Sequence, residues 1–321
     1  MALKGMTLGN LQPIAAIILG LMIASVPFSC TTIKDTAKGA ARTASESSRK
    51  VADAITPGGT GIKRKVTLIG LETPPEIGQA GFGAHFSQAL SEYLQKECRE
   101  VLLDEEVGAI LKSPPRLASG QIDGYSLAMM GRPRGINFFV IGSLNDVRLL
   151  DEKTGIWLWK DTRYKIRAKL RVEIIDSAAG AKALDETLLD EMVIGETQHE
   201  TLKEAQILPL TEILPVLTRL LREAGYKTCA TLRSQPWQGF VTAADQNRLT
   251  ISAGSAVGLS AGKVLEVFDR GRIMEGKDGR RFLKPGDKIG EARIESVSEH
   301  QAEAILSQPA ASTAGGTVRL K

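Results

Sequence analysis

The chain has little histidine: three residues in 321. His85, His199 and His300 lie in separate segments, and none has a second histidine, a cysteine or an acid at the spacing of metal ligands. Each is expected to be a packing or surface residue. The sequence therefore predicts no metal site.

Motifs that perform catalysis or hold a cofactor are also lacking. Residues 124–128 (GYSLA) do not have the second glycine of a hydrolase nucleophile elbow. Residues 258–264 (GLSAGKV) resemble a phosphate-binding loop, but their glycines are four rather than five positions apart and Val264 replaces the magnesium-binding hydroxyl. A turn with glycines at positive φ fits this segment better. We expect no catalytic residue, no cofactor and no enzyme activity, with a periplasmic hydrolase as a distant alternative.

No stretch of the chain is a dense block of one charge. The 41 basic and 37 acidic residues leave a net charge of +4, and no lysine and arginine cluster is interleaved with aromatic residues. Such clusters are typical of nucleic-acid-binding proteins. Because the chain has none, nucleic acid is not an expected partner. At 43% hydrophobic residues the chain is ordinary globular material, long enough for two separate cores.

One long uncharged run is present, at residues 11–28. It follows Lys4 and ends at Ser29 and Cys30, before an abrupt change to polar residues, as in a secretory signal. The segment resembles a bacterial lipoprotein signal, in which a small residue precedes a cysteine that is lipidated and becomes the N-terminus. Pro27 departs from that pattern, which usually has an aliphatic residue there. An uncleaved anchor helix and ordinary signal cleavage are the alternatives, and all three place the body outside the cytoplasm.

Composition divides the chain into four parts. Residues 1–30 are the signal segment, and residues 31–63 are small and polar and predict a tether, either a flexible spacer or a thin helix. Residues 64–233 alternate between helical and strand patterns, whereas residues 235–321 show short strand patterns separated by turns. We therefore expect the α+β class: an α/β domain with a largely antiparallel sheet covered by helices, followed by a small all-β barrel or sandwich.

The centre of the first domain is the segment 165–176. Its aliphatic residues alternate with charged residues, the period of a strand with one buried face. Residues 138–144 and 184–194 are expected to complete an antiparallel meander. The row that faces water consists of Lys165, Arg167, Lys169 and Arg171.

This basic row is a candidate binding face for an acidic partner. Cross-strand ion pairs with the following segment are the more economical explanation. The acids available there are Asp185, Glu186, Asp190 and Glu191.

Two amphipathic helices are predicted to cover the sheet. The first carries an apolar stripe of Phe82, Phe86, Leu90 and Leu94. The last, over residues 208–224, carries Leu210, Leu214, Leu217 and Leu221 and is expected to stop at Gly225.

These strand segments resemble a known family. Residues 135–144 (GINFFVIGSL) and 170–180 (LRVEIIDSAAG) are similar to the paired strands of periplasmic TolB N-terminal domains, of the curli secretion lipoprotein CsgG and of the middle domain of the flagellar assembly protein FlgT. Ala179 stands where these domains usually have threonine. The resemblance extends over the first domain, and it lies in the strand pattern rather than in a catalytic signature.

The last domain is similar to the C-terminal domain of FlgT through residues 254–268 and 286–290. FlgT-type proteins belong to a ring around the flagellar motor. The resemblance therefore implies a periplasmic scaffold that binds other envelope proteins. It also implies assembly into a homo-oligomeric ring. A second implication is a CsgG-like outer-membrane secretion pore. That alternative needs long alternating hairpins, and residues 150–166 show Trp157, Leu158 and Trp159 but no lipid-facing run.

Two cysteines remain once Cys30 is assigned to lipid. Cys98 and Cys229 each follow a predicted amphipathic helix, and the compartment oxidises thiols. If those helices pack side by side with the same polarity, as the analogy implies, their ends meet and a disulfide can form. Two separate buried thiols are the alternative.

These observations predict a non-catalytic, lipid-anchored periplasmic scaffold or binding component of a cell-envelope assembly. The resemblance implies that this assembly is associated with the flagellar motor. The outer membrane is the expected site of the anchor, and the inner membrane is the alternative.

The first prediction concerns Cys30. Mass spectrometry of the mature N-terminal peptide is expected to show a diacylglyceryl adduct on this cysteine. Replacing it, Cys30→Ala, should release the protein into the soluble periplasmic fraction, because the anchor is lost. Recovery of an intact Met1 on the mature protein would instead identify a retained membrane helix.

Overall fold

The structure, a computed structural model, describes residues 61–71, 73, 81–111, 113–155, 161–205, 208–308 and 313–321. Cys30, the signal segment and the tether up to residue 60 lie outside this part of the chain. Residues Thr60–Lys321 form one compact unit. Within the described ranges, no helix is both long enough and apolar enough to span a lipid bilayer.

The first module combines five strands with five helices. In chain order these are β1 Arg64–Gly70, α1 Phe82–Glu97, β2 Val101–Leu103, α2 Glu105–Ile110, α3 Gly124–Gly131, β3 Phe138–Thr154, β4 Asp161–Asp176, β5 Ala181–Ile194, α4 Glu196–Glu204 and α5 Leu210–Ser234. The sheet order is β2-β1-β3-β4-β5. Strand β1 runs parallel to β2 and β3, whereas β3, β4 and β5 form the expected antiparallel meander.

The main core lies between one face of this sheet and the helices α1 and α5. The alternating aliphatic residues of β4 face it, and all are at most 1% exposed. They pack with the predicted stripe of α1 and with one face of α5 into one cluster. The α5 face differs from the predicted stripe, because Ile213, Val216 and Leu220 join Leu217 and Leu221 in the cluster whereas Leu214 does not. The buried hydrophobic residues of β4 are Ile166, Ala168, Leu170, Val172, Ile174 and Ile175. Ile175 belongs to a smaller core on the opposite face, with Leu127 of α3.

Helix α5 differs from its predicted length. It continues through Gly225 to Ser234, so Gly225 does not end it. A Cβ atom at this glycine would lie 2.3 Å from a ring carbon of Tyr93, which α1 presents. The glycine is therefore required for close approach of α1 and α5 rather than for helix termination. Sequence alone does not separate these two roles.

The second module is a closed barrel, so the barrel alternative is correct and the sandwich alternative is not. Its strands are β6 Gly239–Asp245, β7 Arg248–Ile251, β8 Val264–Phe268, β11 Lys288–Val297, β12 Ala302–Leu306 and β13 Thr317–Leu320, and they close in the order β11-β12-β7-β6-β13-β8. The strands β9 Arg272–Glu275 and β10 Arg281–Lys284 form a separate hairpin. Closure removes the free edges that a sandwich would leave.

Contacts between the two modules involve buried and hydrogen-bonded groups. Ile62, which the composition assigns to the tether, is 4% exposed and belongs to the barrel core. The guanidinium of Arg64 donates to the carbonyl oxygen of Gln235, with Nε 3.1 Å away. Asn137 accepts from the Lys65 backbone N–H at 2.9 Å and donates to the carbonyl of Gln238. The first module thus supplies part of the barrel's packing.

The second prediction tests this dependence. Ile62→Ala is expected to lower the free energy of unfolding by about 2 to 5 kcal/mol, because it removes a side chain from a closed core and leaves a cavity. Ile273, on the separate hairpin, is 51% exposed. Ile273→Ala should therefore cost less than about 0.5 kcal/mol. Urea unfolding of both variants measures the difference, and equal effects would contradict it.

Candidate functional site

The ribbon formed by β3 and β4 is longer than the sequence analysis predicted. The two strands pair from Phe138 opposite Asp176 to Thr154 opposite Asp161, with one register shift between Leu144 and Asp146. Val147 and Leu149 pack against the main core, and their neighbours along the strand face the other way. This alternation is present in the sequence beyond residue 144, so it is the signal that could have predicted the full strand.

The four cations of the basic row all have acidic partners. Lys165 binds Glu191 at 3.1 Å and also Glu152, and Arg167 binds Glu191 at 2.5 Å. Lys169 lies 3.4 Å from Asp146, and Arg171 lies 2.8 Å from Asp185 and 3.3 Å from Glu173. Neutralised in this way, the row offers little net charge to an acidic partner.

Only two of the four anticipated acids join the row. Asp185 and Glu191 are six positions apart, so they share one face of β5. Glu186 and Asp190 lie an odd number of positions from both, so they share the other face, which packs against α5. There Glu186 binds Lys227 at 2.6 Å and Asp190 binds Arg219 at 2.5 Å. Alternation along a pleated strand explains the division.

The ion pairs lower the pKa values of two acids of β5, Glu191 and Asp185. Hydrogen bonds from Arg167, then from Lys165, hold the pKa of Glu191 below its usual value. Arg171, chiefly, lowers the pKa of Asp185. An acid with a depressed folded-state pKa stabilises the fold above its unfolded pKa of about 4, and this contribution is lost as the pH falls through the folded pKa. The ribbon is therefore stabilised at neutral pH.

Strand β5 lies at the edge of the sheet, with β4 as its neighbour on one side. The backbone N–H of Glu191 donates to Asp190 Oδ1 at 2.8 Å, and its carbonyl oxygen accepts from Arg219 at 3.2 Å. Both backbone groups thus point away from β4, toward the open edge. Side chains that bond to an edge in this way limit pairing with another strand.

Two apolar side chains flank this protected point. Leu189 is 50% exposed and Val193 is 66% exposed. Both lie two residues from Glu191, so by the alternation of antiparallel pairing their backbone groups also face the open edge. The arrangement offers an extended partner both backbone hydrogen bonds and apolar contacts.

His199 is a packing residue, as expected. It is 2% exposed, its Nε2 lies 2.6 Å from Asp151 Oδ1, and its ring stacks on Tyr164 with 4.4 Å between centroids. These contacts fasten α4 to the outer part of the ribbon.

The two motifs considered for chemistry have structural roles. Ser126 donates from its hydroxyl to Asp123 Oδ2 at 2.6 Å, and Asp123 also accepts from the Ser126 backbone N–H, which caps α3. Gly258 and Gly262 adopt φ values of 93° and 85° and form the turn that the sequence predicted. These glycines supply backbone freedom to the turn between barrel strands.

Cys98 and Cys229 form a disulfide, with Cα atoms 5.8 Å apart. Cys98 directly follows α1, but Cys229 lies inside α5 rather than past its end. The bond therefore joins the two helices that cover the main core. Glu100 lies close to both sulfur atoms. Bonded to each other, the sulfurs are not the thiolates that a zinc site requires.

The fold and the site define a class: a two-module α+β protein with a disulfide inside its first module and, among the described residues, a strand edge that no other strand covers. Neither the family models nor the curated proteins include a match to this chain.

Three solved structures show limited similarity. The hypothetical protein CT253 from Chlamydia trachomatis is 18% identical, over 54% of this chain and 99% of that one, with a TM-score of 0.33. A minor lipoprotein from Acinetobacter baumannii is 11% identical over 53% and 91% of the two chains, with a TM-score of 0.26. Lipoprotein GNA1162 from Neisseria meningitidis is 8% identical over 44% and 94%, with a TM-score of 0.26. These scores are too low to support an argument about fold or function.

The third prediction concerns the disulfide. Peptide mapping of the protein without reductant should recover a cross-linked fragment that contains Cys98 and Cys229. Loss of the bond in Cys229→Ser should lower the free energy of unfolding by up to roughly 4 to 5 kcal/mol, because it frees a loop with a sequence separation of 131. Recovery of both cysteines in alkylated form would contradict the bond.

Proposed function

We propose that this protein is a non-catalytic periplasmic scaffold or binding component of a cell-envelope assembly, anchored through lipid on Cys30 to the outer membrane. The observation that carries the proposal is the open edge of β5, with Leu189 and Val193 exposed beside it. A long edge strand beside exposed apolar side chains is suited to binding another protein.

A disulfide, ion pairs and hydrogen bonds stabilise the part of the protein that carries this edge. The disulfide ties α1 to α5, and α5 holds β5 through Arg219 and Lys227. Hydrogen bonds from Arg64 and Asn137 join the first module to the barrel. An edge held on a braced framework loses little conformational entropy when a partner binds, which favours a scaffold role.

The partner that fits the edge is an extended protein segment. Such a segment would pair with the backbone of β5 and place apolar side chains against Leu189 and Val193. Because Asp190 and Arg219 occupy the edge at Glu191, we infer that the segment pairs on one side of this point or displaces the two side chains. A second copy of this chain could supply the strand. Pairing of β5 with β5 would close a two-fold dimer, so a homo-oligomeric ring would require a different strand of the second copy.

A pore component is the second candidate. Its support is the long β3–β4 hairpin, with strands of 17 and 16 residues. The outer part of the hairpin carries charged side chains that are exposed to solvent, which is unfavourable for a lipid-facing surface. These residues are Asp151, Glu152, Lys153, Asp161 and Arg163. The scaffold role therefore fits the described ribbon better. Flagellar-motor association remains an expectation from the family resemblance.

The fourth prediction tests the edge. A photo-cross-linking amino acid at position 189 or 193 should form a discrete adduct with an envelope protein or with a second copy, since both positions lie beside the open backbone. The same amino acid at Arg248, an exposed position on the barrel, serves as the control. Mass spectrometry of the adducts then identifies the partner.

A pair of substitutions sharpens this test. Leu189→Glu should abolish the adduct formed from position 193, because it places a charge in the apolar contact. Ile273→Glu changes an apolar residue of equal exposure on the separate hairpin and should leave the adduct intact. Equal labelling from positions 189, 193 and 248, or loss of the adduct in both glutamate variants, would count against the edge as the partner surface.

A further inference from the structure

An aromatic row lies on the outside of the barrel. Thr317 of β13 pairs with Phe240 of β6 on one side and with Phe268 of β8 on the other. The next residues, Val241, Val267 and Val318, belong to the barrel core. Since successive side chains alternate between faces, the row itself points outward.

A guanidinium group stacks over each ring of this row. Arg132, in the 3-10 turn Arg132–Arg134 that follows α3, lies with its Cζ 5.0 Å from the Phe240 centroid. Arg319 of β13 lies with its Cζ 4.9 Å from the Phe268 centroid. One cation thus comes from each module, and Thr317 lies between the two rings.

Each of these arginines has a buried donor without a partner. The Nε atoms of Arg132 and Arg319 make no hydrogen bond to any described residue. Arg132 does use Nη1, which donates to the carbonyl of Gly315 at 3.2 Å. Stacking on aromatic rings accounts for the positions of the two guanidinium planes but leaves their Nε–H donors unsatisfied, which is costly for a buried cation.

A third cation and two acids complete the surroundings. The Arg270 side chain lies 3.6 Å from the position that a Cβ on Gly315 would occupy, which places it beside Arg132. Burial is the main cause that lowers the pKa of Arg132, and repulsion from Arg270 adds to it. Asp176 attracts both Arg132 and Arg319, but no ion pair within the described chain joins it to either. Asp269 accepts from the Arg270 backbone N–H at 2.6 Å.

The balance of these charges is positive. Three guanidinium groups face the carboxylates of Asp176 and Asp269, and Glu266, the residue opposite Arg319 on β8, is paired with Lys288 at 2.6 Å. Burial raises the pKa of the Asp176 carboxyl. A group with several acceptor oxygens and a negative charge would offset the repulsion between Arg132 and Arg270. Guanidinium groups recognise phosphate through paired, charge-assisted hydrogen bonds.

We propose that Arg132, Arg270 and Arg319, together with Thr317, form a binding site for a phosphate group at the junction of the two modules. The phosphate belongs either to a free anion or to an anionic lipid headgroup, and the chemistry of recognition is the same. Because its ligands come from both modules, the bound group would hold the modules together. This site is separate from the edge of β5 and does not rest on the scaffold role.

The fifth prediction uses two probes on the full chain: inorganic phosphate, and dihexanoyl phosphatidylglycerol below its micelle concentration. At constant ionic strength, saturable binding of either probe is expected to raise the melting temperature relative to chloride or to dihexanoyl phosphatidylcholine. Binding of inorganic phosphate identifies a free anion as a sufficient ligand. Binding of the glycerophospholipid alone identifies a headgroup.

Variants then locate the site. Arg319→Gln should weaken binding at least about tenfold, because a charge-assisted hydrogen bond is removed. Arg270→Gln changes an exposed side chain, so it tests the site even where Arg319→Gln folds poorly. Arg248→Gln, an exposed arginine elsewhere on the barrel, should bind as the parent does. Failure of both probes to bind, or unchanged binding by Arg270→Gln and Arg319→Gln, would overturn the proposal.

Discussion

The burial of one face of β4 is the constraint on which the rest of the structure depends. Its aliphatic residues alternate with charges from Lys165 to Ile174, so pairing with β3 and β5 creates one apolar face and one charged face along this stretch. The apolar face requires α1 and α5 as a cover. The charged face requires acids on both neighbouring strands, since a row of four cations repels itself unless it is paired. The positions of α1, α5, β3 and β5 therefore all depend on β4.

The packing of the two covering helices explains several separate features. Gly225 permits α5 to approach Tyr93 of α1, and the same approach brings Cys98 and Cys229 within disulfide distance. The helix also fastens the edge strand through Arg219, which bonds to a side chain and to the backbone of β5. Stability of the core and protection of the edge are therefore linked by one helix.

The junction between the modules combines two kinds of contact. Ile62 supplies an apolar contact, and the hydrogen bonds to the carbonyl oxygens of Gln235 and Gln238 pair polar groups, so these contacts stabilise the pair of modules. The arginines over Phe240 and Phe268 are different, because they concentrate like charge at a buried boundary. Arrangements that cost stability commonly mark a functional site, and this one is suited to an anion.

Local periodicity in the sequence was sufficient to predict the meander, the α1 stripe and the all-β second module, because each pattern repeats within a few residues. For α5 it predicted an amphipathic helix, but only Leu217 and Leu221 of the predicted stripe are buried. The pleat also implied that the basic row would meet acids of β5. Tertiary structure alone decided that Ile62 belongs to the barrel, that Gly225 serves packing, and that Arg132 lies beside Phe240. Those contacts join residues far apart in the chain, so their partners depend on how whole elements pack rather than on neighbouring residues.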